Sequence, residues 1–399
     1  MKSEWRNMKL SDIADFNPKE TIKKGTIAKK VPMDVLRPFC RDIPCYKNEK
    51  FSGGTKFRNG DTIMARITPC LENGKTAQVS LLDEGEVGFG STEYIVFRAK
   101  EGIADKDYLY YLICSSKVRD QAIKSMVGSS GRQRVQTDVV KNIEIELPSL
   151  AEQEKIGYIL RLIDDKIALN ERINKNLLEQ AQALYNSWFI NFEPFDGIKP
   201  LDWITGTVDD LGNEIICGKT PSTKKKEYYG GNIPFITIPD MHGCVYNIST
   251  ERYLSIAGAA SQPKKTLPPN TVCVSCIGTA GLVTLVSEES QSNQQINSIV
   301  PKEGISAYYI YLLMQTLSET INKLGQSGST IVNLNKTQFG KIQVTIPSAK
   351  ALFDFDFLCK PLFEMILSNQ KENNKLASLR DNLLPKLMSG ELDVSNIDL

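Results

Sequence analysis

Ile143-Glu-Ile-Glu-Leu-Pro-Ser149 returns later in the chain as Ile342-Gln-Val-Thr-Ile-Pro-Ser348, at an offset of 199 residues. Each copy alternates apolar and polar residues and ends at a proline, which predicts a short strand. The offset continues without a gap into the segments that follow, where Asn170-Glu-Arg-Ile-Asn174 aligns with Asn369-Gln-Lys-Glu-Asn373. A repeat that keeps its frame over this distance predicts one architecture that is built twice.

The repeat becomes weaker upstream, but its order persists. Three further pairs of segments correspond, namely the glycine turns Gly128–Gly131 and Gly325–Gly328, the helical segments Tyr108–Lys124 and Ser306–Lys323, and the strands Asp61–Arg66 and Asn270–Ser275. The two copies therefore share a frame and differ in detail.

Residues 151 to about 189 predict one long helix, because they contain no proline and their apolar residues recur at alternating steps of four and three. This spacing is typical of a coiled-coil seam, and the helix would be roughly 55–60 Å long. The second copy keeps the seam but contains Pro361 and Pro385. Pro361 either kinks this helix or marks its first turn, and Pro385 is expected to bend or end it.

The simplest partner for each seam is the other seam, in an antiparallel pair related by a pseudo-two-fold axis. Asn170 then faces Asn373, and Asn174 faces Asn369, where buried asparagines would set the register. The alternative is four exposed polar residues at a place where the seam opens. The residues expected to pair the helices are Ile156, Ile163, Asn170, Asn174, Leu177, Leu184, Leu362, Asn369, Asn373, Leu376 and Leu383.

The sequence thus predicts an α+β protein with an internal duplication and pseudo-two-fold symmetry. Two mixed α/β domains, residues 1–148 and 191–347, are separated by long antiparallel coiled-coil helices at residues 149–190 and 348–399. If the helices are antiparallel, we expect them to act as a rod that holds the two domains apart.

Composition indicates an ordinary soluble chain, with 399 residues, 41% hydrophobic residues and a formal net charge of +1. We expect no membrane association, because no apolar run is long enough to span a bilayer. Nine cysteines without a signal peptide indicate free thiols in the cytoplasm. A net charge near zero does not exclude DNA binding, because a nucleic-acid surface is a local patch.

Residue content also argues against catalysis and metal binding in this chain. Its single histidine, His242, excludes most histidine-dependent hydrolase and metal chemistry. Cys273 and Cys276 form a C-x-x-C pair without a second pair of ligands, so two thiols in a buried strand are expected instead of a metal site. Gly218-Lys-Thr220 lacks the first glycine of a P-loop. We therefore predict no catalytic residues and no metal.

Several loops combine side chains that suit DNA. Arginine, glutamine and asparagine match base edges, whereas lysine, serine and threonine suit phosphates. The candidates in the first domain are Lys47, Lys56, Arg58, Arg66, Arg132, Gln133 and Arg134, and those in the second are Lys219, Thr220, Ser222, Lys224, Lys225, Tyr228, Asn293, Gln294, Gln295, Ser329 and Thr330. Each could instead belong to a solvated surface or a plain turn, but their placement at matching points of two divergent domains favours a function.

The sequence resembles one known family over nearly the whole chain, and three stretches carry the most specific resemblance. They are Leu147-Pro-Ser-Leu-Ala-Glu-Gln-Glu-Lys-Ile156 at the first helix, Gly218-Lys-Thr-Pro-Ser222 with the following Tyr228-Tyr-Gly-Gly231 and Ile233-Pro-Phe-Ile236, and Leu383-Leu-Pro-Lys-Leu-Met-Ser-Gly-Glu-Leu392. These are similar to motifs of the DNA-specificity subunits of type I restriction–modification systems. The second helix departs from the pattern, since residues 351–353 read Ala-Leu-Phe in place of Glu-Gln-Glu.

The resemblance implies two target recognition domains that each read half of a split asymmetric site in double-stranded DNA. It implies helices that dock two modification subunits, which methylate adenine with S-adenosylmethionine, and added restriction subunits that use ATP and magnesium. None of that chemistry, and no cofactor, would lie in this chain. Two alternatives are a coiled-coil scaffold or adaptor that no longer reads DNA, and a DNA-reading arm for another DNA-modifying enzyme.

Overall fold

The computed structural model describes residues 5–129, 131–326, 332–395 and 397. The chain forms two compact units. Unit 1 comprises Met1–Ala168 and Lys375–Leu399, and unit 2 comprises Leu169–Asn374. Within the described ranges, no helix combines the length and the apolar character needed to cross a membrane.

In the described part of the first half there are ten strands and four short α-helices, followed by a long helix. The strands are β1 Arg6–Lys9, β2 Ala14–Phe16, β3 Ile27–Val31, β4 Lys47–Lys50, β5 Thr55–Phe57, β6 Thr62–Ala65, β7 Thr76–Gln78, β8 Gly88–Gly90, β9 Tyr94–Ala99 and β10 Glu144–Leu147. The helices are α1 Leu10–Ile13, α2 Lys106–Cys114, α3 Ser116–Lys124, α4 Thr137–Lys141 and the long α5 Leu150–Phe189.

The second half repeats much of this order, but its first short α-helix follows the fifth strand instead of the first. Its strands are β11 Ile204–Thr207, β12 Gly212–Cys217, β13 Tyr229–Ile236, β14 Tyr246–Asn247, β15 Arg252–Leu254, β16 Val272–Ser275, β17 Val283–Val286, β18 Gln291–Ser292, β19 Ile296–Pro301 and β20 Gln343–Ile346. Its helices are α6 Ile256–Ala260, α7 Ala307–Thr316, α8 Ser318–Gly325, α9 Lys336–Gly340 and the long α10 Ala349–Met388.

The two units contain corresponding sheets that differ in the number of strands. The main sheet has strand order β2-β9-β6-β7 in unit 1 and β12-β19-β16-β17 in unit 2, where β14 is added at the edge. A second sheet has order β4-β3-β8-β5 in unit 1 and β15-β13-β18 in unit 2. The pairs β1–β10 and β11–β20 complete the architecture. This common topology confirms the internal duplication and the mixed helix and sheet content.

The repeated strand forms where the sequence predicts it. In β10, Ile145 and Leu147 are buried while Glu144 and Glu146 are exposed, as strict alternation requires. The strand pairs antiparallel with β1. Its counterpart β20 pairs antiparallel with β11 and buries Val344.

The alignment of the upstream strands by sequence is wrong by one residue. It matches Asp61 with Asn270, but the Asp61 carbonyl accepts a hydrogen bond from Val79 in the way that the Thr271 carbonyl accepts one from Val286. Asn270 therefore corresponds to Gly60. Both residues have a left-handed backbone, with φ of +88° at Gly60 and +65° at Asn270. Glycine and asparagine tolerate this conformation best, so the turn before the strand sets the register.

Each predicted helical segment before the glycine turns is two helices. In unit 1 the break lies at Ser115, whose backbone is extended (φ −66°, ψ 154°), between α2 and α3. In unit 2 it lies at Leu317, between α7 and α8. The first helix of each pair begins at an N-cap residue, because the side chains of Asp105 and Ser306 accept hydrogen bonds from N–H groups of the first turn.

The long helix α10 continues through both of its prolines. It begins at Ala349, so the hypothesis that Pro361 marks its first turn is wrong, and it ends at Met388, so Pro385 does not end it. Both prolines are exposed. On the solvent side of a helix, water can bond the carbonyl that proline deprives of its amide donor.

In unit 2 the two long helices are joined by their asparagines. Asn170 Nδ2 donates to Asn373 Oδ1 at 2.8 Å and to Glu372 Oε2 at 2.7 Å, and Asn369 Nδ2 donates to Asn174 Oδ1 at 2.8 Å. The numbering rises along one segment as it falls along the other, so they run antiparallel. Asn170 is fully buried and Asn369 is 8% exposed. These contacts match the cross-pairing expected from the repeat, and they do not fit an exposed break in the seam.

The remaining seam residues do more than pair helix with helix. Ile156 belongs to the hydrophobic core of unit 1, and Leu383 packs against that core. Leu177, Leu184 and Leu362 pack against the core of unit 2. The structure also buries Ile163 and leaves Leu376 half-buried. Each long helix is therefore part of the globular cores as well as of the helical pair.

Candidate nucleic-acid interface

Three segments that are distant in the sequence meet in unit 1. The Thr68 N–H donates to the Gln133 carbonyl at 3.0 Å, and the Val135 N–H donates to the Arg66 carbonyl at 2.8 Å. The Arg66 N–H in turn donates to the Glu93 carbonyl at 2.9 Å. We call residues 66–68, 93 and 132–135 the unit 1 junction.

Unit 2 contains the same three hydrogen bonds. The Gly278 N–H donates to Val332 at 3.0 Å, the Leu334 N–H to Cys276 at 2.9 Å and the Cys276 N–H to Gln295 at 2.8 Å. We call residues 276–278, 295 and 332–334 the unit 2 junction. By these bonds, and by the bridges Ile67–Arg134 and Ile277–Asn333, the equivalent residues are Arg66 and Cys276, Glu93 and Gln295, and Arg134 and Asn333.

The side chains at equivalent positions differ in charge. In the unit 1 junction, Arg134 pairs with Glu93 at 2.6 Å, and Arg66 Nε lies 3.9 Å from the same carboxylate. Hydrogen bonds from Arg134 lower the pKa of Glu93, and the same bonds raise the pKa of Arg134. Arg132 is exposed and Gln133 is half-buried. Sequence reasoning missed Glu93, because a lone acid before a strand carries no signal for its partners.

A row of lysines crosses the second sheet of unit 1. Lys30 on β3 lies opposite Lys47 on β4. On its other side Lys30 lies beside Phe89 on β8, and Phe89 lies opposite Lys56 on β5. The amines of Lys30 and Lys56 lie 6.0 Å from the Phe89 ring and 5.3 Å from the Phe51 ring, respectively. Lysines interleaved with aromatic rings suit a nucleic-acid backbone. The structure thus joins two candidates through Lys30, which is not among the residues predicted from the sequence although Lys29-Lys30 lies in a strand-like run.

Arg58 belongs to a different network. Its Nε lies 2.7 Å from the Glu20 carboxylate, whose side chain is only 5% exposed. Arg98 also bonds Glu20 at 2.7 Å and makes two bonds to Asp61, which is 1% exposed. These contacts tie Arg58 to a structural ion network of unit 1.

In unit 2 a loop packs against the turn before β19. The Lys219 N–H donates to the Ser292 carbonyl at 2.9 Å, and Thr220 Oγ1 donates to Gln294 Oε1 at 2.8 Å. A Cβ atom at Gly218 would lie 2.1 Å from the Asn293 carbonyl oxygen, so the close approach requires glycine. This packing explains the Gly-Lys-Thr run that superficially resembles a P-loop.

The remaining candidates of unit 2 fall into two groups. Asn293 is 8% exposed, and its side chain both donates to and accepts from Gln295 at 3.0 Å, so it shapes the turn. Lys225 donates to the Tyr228 hydroxyl at 2.9 Å, which raises the pKa of the lysine. Exposed positions of the loop include Lys219, Ser222 and Lys224, and Gln294 is also exposed. Gly328, Ser329 and Thr330 lie outside the described residues.

Groups suited to metal chemistry do not come together in the part of the chain that the structure describes, where no cluster of three or more His, Cys, Asp or Glu residues could hold a metal ion. Cys273 and Cys276 are buried, and burial raises the pKa of both thiols to about 12. Both thiols are buried as predicted, but only Cys273 lies in a strand, because β16 ends at Ser275. His242 is exposed directly after the helical turn Ile238–Met241.

Comparison with known proteins identifies the family to which the chain belongs. The model of a type I restriction modification DNA specificity domain matches residues 2–179 and again residues 200–375. The type I restriction enzyme HindI specificity subunit of Haemophilus influenzae is 31% identical over 98% of this chain and 100% of its own length. The MjaIX specificity subunit of Methanocaldococcus jannaschii is 28% identical over 75% of this chain and 71% of its own length.

A solved structure has the same fold. The crystal structure of the type I restriction–modification system S subunit from M. genitalium covers 96% of both chains with a TM-score of 0.60 and 16% identity. The family match extends over both halves of the duplication, and each half carries one junction. The chain therefore belongs to the family of type I restriction–modification specificity subunits, and it contains the DNA specificity domain of that family twice.

Proposed function

We propose that this chain binds double-stranded DNA and reads an asymmetric target made of two half-sites, one at each junction. The observation that carries this proposal is that the two junctions share one backbone frame but carry unlike side chains. One frame holds Arg66, Glu93 and Arg134, and the other holds neutral residues at the equivalent positions. Two domains that share a scaffold but differ in the side chains that contact bases can read two different half-sites.

The side chains fit a division between base contacts and phosphate contacts. An arginine fork suits the O6 and N7 acceptors of guanine, and the amides of Gln294 and Asn333 suit adenine. The row of Lys30, Lys47 and Lys56, and the exposed Lys219 in unit 2, suit phosphates and would give salt-dependent affinity.

The proposed partners follow from the family. The HindI and MjaIX relatives are named as specificity subunits of restriction enzymes. We infer that this chain assembles with two modification subunits and with restriction subunits. S-adenosylmethionine, ATP and magnesium would be used by those partners, and this chain would contribute recognition without catalysis.

Methylation mapping tests the proposal. The chain is co-expressed with its modification subunits, and methylated adenines in the host DNA are mapped by sequencing. We expect one two-part motif with a fixed gap, and a single continuous motif would contradict the proposal. Replacing Arg132, Gln133 and Arg134 with alanine should change one half of the motif only. Lys117→Ala, an exposed change on α3 of the same unit, should change neither half.

A further inference from the structure

We propose that Glu93 positions Arg134 to read a guanine, so that one base pair of the unit 1 half-site depends on a carboxylate beneath the reading residue. This inference deepens the proposed function and rests on it. It assigns Arg134 as a specificity-determining residue and Glu93 as its positioning residue.

The geometry of the pair leaves the reading end of the arginine free of Glu93. Glu93 Oε1 accepts from Arg134 Nε at 2.9 Å and from Nη2 at 2.6 Å, and Oε2 accepts from Nε at 3.0 Å. The carboxylate therefore occupies the side edge of the guanidinium. The end edge, formed by Nη1 and the second N–H of Nη2, retains two parallel donors. That edge matches the O6 and N7 acceptors of guanine.

The backbone holds both partners in place. Arg134 exchanges two backbone hydrogen bonds with Val127, at 2.9 and 3.0 Å, and the Glu93 carbonyl accepts from the Arg66 N–H. A free arginine would lose side-chain entropy on contacting a base. Because Glu93 already orders the Arg134 side chain in the absence of DNA, less entropy is lost on binding, and this favours selective binding.

Exposure and charge agree with this assignment. The Arg134 side chain is 45% exposed and that of Glu93 is 24% exposed, so the arginine is the more accessible partner. A carboxylate near DNA repels phosphates, which makes an acid at a DNA surface costly unless it orders a neighbour. Arg66, 3.9 Å from the same carboxylate, keeps the cluster of two arginines and one glutamate net positive.

The second junction cannot make the same contact. Gln295 and Asn333 occupy the positions of Glu93 and Arg134. Neither residue carries a charge or a guanidinium fork. The arginine-dependent guanine is therefore expected in only one half of the target.

The test uses the full chain in its complex with the modification subunits and a set of DNA duplexes that vary one base pair of the selected motif at a time. Arg134→Lys retains the charge and removes the fork, so we expect preference for guanine at one position to fall by about 10- to 100-fold. Glu93→Gln should reduce preference at the same position by about tenfold, because the charge-assisted bond is weakened. Its total affinity should hold or rise, since a negative charge near the phosphates is removed.

Glu144→Gln is the matched control, because it makes the same charge change at an exposed position of β10 in the same unit. It should leave every base preference unchanged. Preferences in the other half-site should be the same in all variants, which reports on folding of the complex.

Each outcome decides between the two proposals. If the wild-type complex selects no two-part motif, the proposed function itself fails. If it selects one, and the two variants leave all preferences unchanged or alter different positions, only the assignment of Glu93 and Arg134 is overturned. A uniform loss of affinity for all duplexes in Glu93→Gln, with a lower thermal midpoint, would make Glu93 a purely structural residue and would also overturn it.

Discussion

Arg58 and Arg134 are both candidate DNA contacts by sequence, yet their partners differ. Arg58 shares the buried Glu20 with Arg98, in a network that extends to Asp61. Arg134 shares the more exposed Glu93 with Arg66. For single residues, the burial of the acidic partner therefore distinguishes an arginine with a structural role from an arginine that a ligand can reach.

The Glu20 network predicts an acid-dependent stability. Burial raises the pKa of Glu20, but hydrogen bonds from Arg98 and Arg58 outweigh it, and the net pKa is lowered. A carboxyl with a lowered folded-state pKa stabilises the protein above its unfolded-state pKa, and this stabilisation is lost as pH falls through the folded-state pKa. Glu20→Gln should therefore lower the urea unfolding midpoint at neutral pH and have a smaller effect below about pH 4.

The control for this prediction is Glu101→Gln, at an exposed turn of the same unit. It should change the midpoint little at either pH. An equal effect of Glu20→Gln at neutral and acid pH would show that the carboxylate charge is not what matters.

At the scale of elements, the long helices combine an apolar seam with a short polar interval. Leu177 and Leu184 pack against the core of unit 2, whereas Asn170 and Asn174 bond the asparagines of α10. An apolar seam by itself permits registers shifted by whole heptads, but these amides bond in only one register. The asparagines therefore specify how the two helical segments pair.

This role predicts a recoverable loss of stability. Asn170→Ala removes a fully buried donor from Asn373 and Glu372, and we expect a cost of about 1–3 kcal/mol in the free energy of unfolding. The double change Asn170→Leu with Asn373→Leu should regain much of that loss, because both polar groups are removed together. Denaturant unfolding of both variants measures the difference, with the exposed Asn176→Ala as control. The single changes Asn170→Leu and Asn373→Leu complete the comparison, and losses of the two single variants that simply add in the double variant would contradict the pairing.

Helix α10 also exposes large apolar side chains. Phe353 and Phe357, one turn apart, are 72% and 75% exposed. Exposed aromatic pairs on a helix suit a partner protein. Under the proposed function, Phe353→Ala with Phe357→Ala should weaken assembly with the modification subunits by at least about tenfold. Lys371→Ala, exposed on the same helix, should not. Size-exclusion chromatography and titration calorimetry measure this, and full-strength assembly would place the partner elsewhere.

At the scale of the whole molecule, each unit builds its core from one half of the duplication and from parts of both long helices. Ile156 and Leu387 are buried in one core, and Phe189 and Phe355 in the other. The ring centroids of Phe189 and Phe355 lie 4.8 Å apart in unit 2. Unit 1 combines two separate stretches of chain, whereas unit 2 is continuous. Each core contains residues of both long helices, so both helices must form for either core to close.

Matched heptad insertions test how the two half-sites are coupled. Seven residues inserted after Ala168 in α5 and after Asn374 in α10, at the boundaries of the units, keep the helical phase and the asparagine pairs. Under the proposed function, we expect the gap between the half-sites to lengthen while each half-site sequence stays the same. Methylation mapping of the co-expressed complex reads both quantities.

The control is the insertion in α5 alone, which leaves α10 without a matching heptad and should impair folding or assembly. If the matched insertions changed the half-site sequences, recognition would not be modular. An unchanged gap would show that the helices do not set the spacing.

Features that depend on local periodicity and on the repeat can be predicted from the amino-acid sequence alone. The strand at Glu144–Leu147, the helix from Leu150 to Phe189 and the positions of the four asparagines all follow from spacing along the chain. Periodicity reports which face of an element is apolar, and the repeat frame carries that information from one half to the other.

Which candidate residues work together depends on contacts that form only in the folded chain. Glu93 meets Arg134, and Lys30 joins Lys47 to Lys56, through hydrogen bonds and strand registers between distant segments. The one-residue shift at Gly60 and Asn270 likewise depends on a left-handed turn that residue similarity does not reveal. Side-chain type predicts the chemistry a residue can perform, but its partner is set by backbone bonds between segments tens of residues apart.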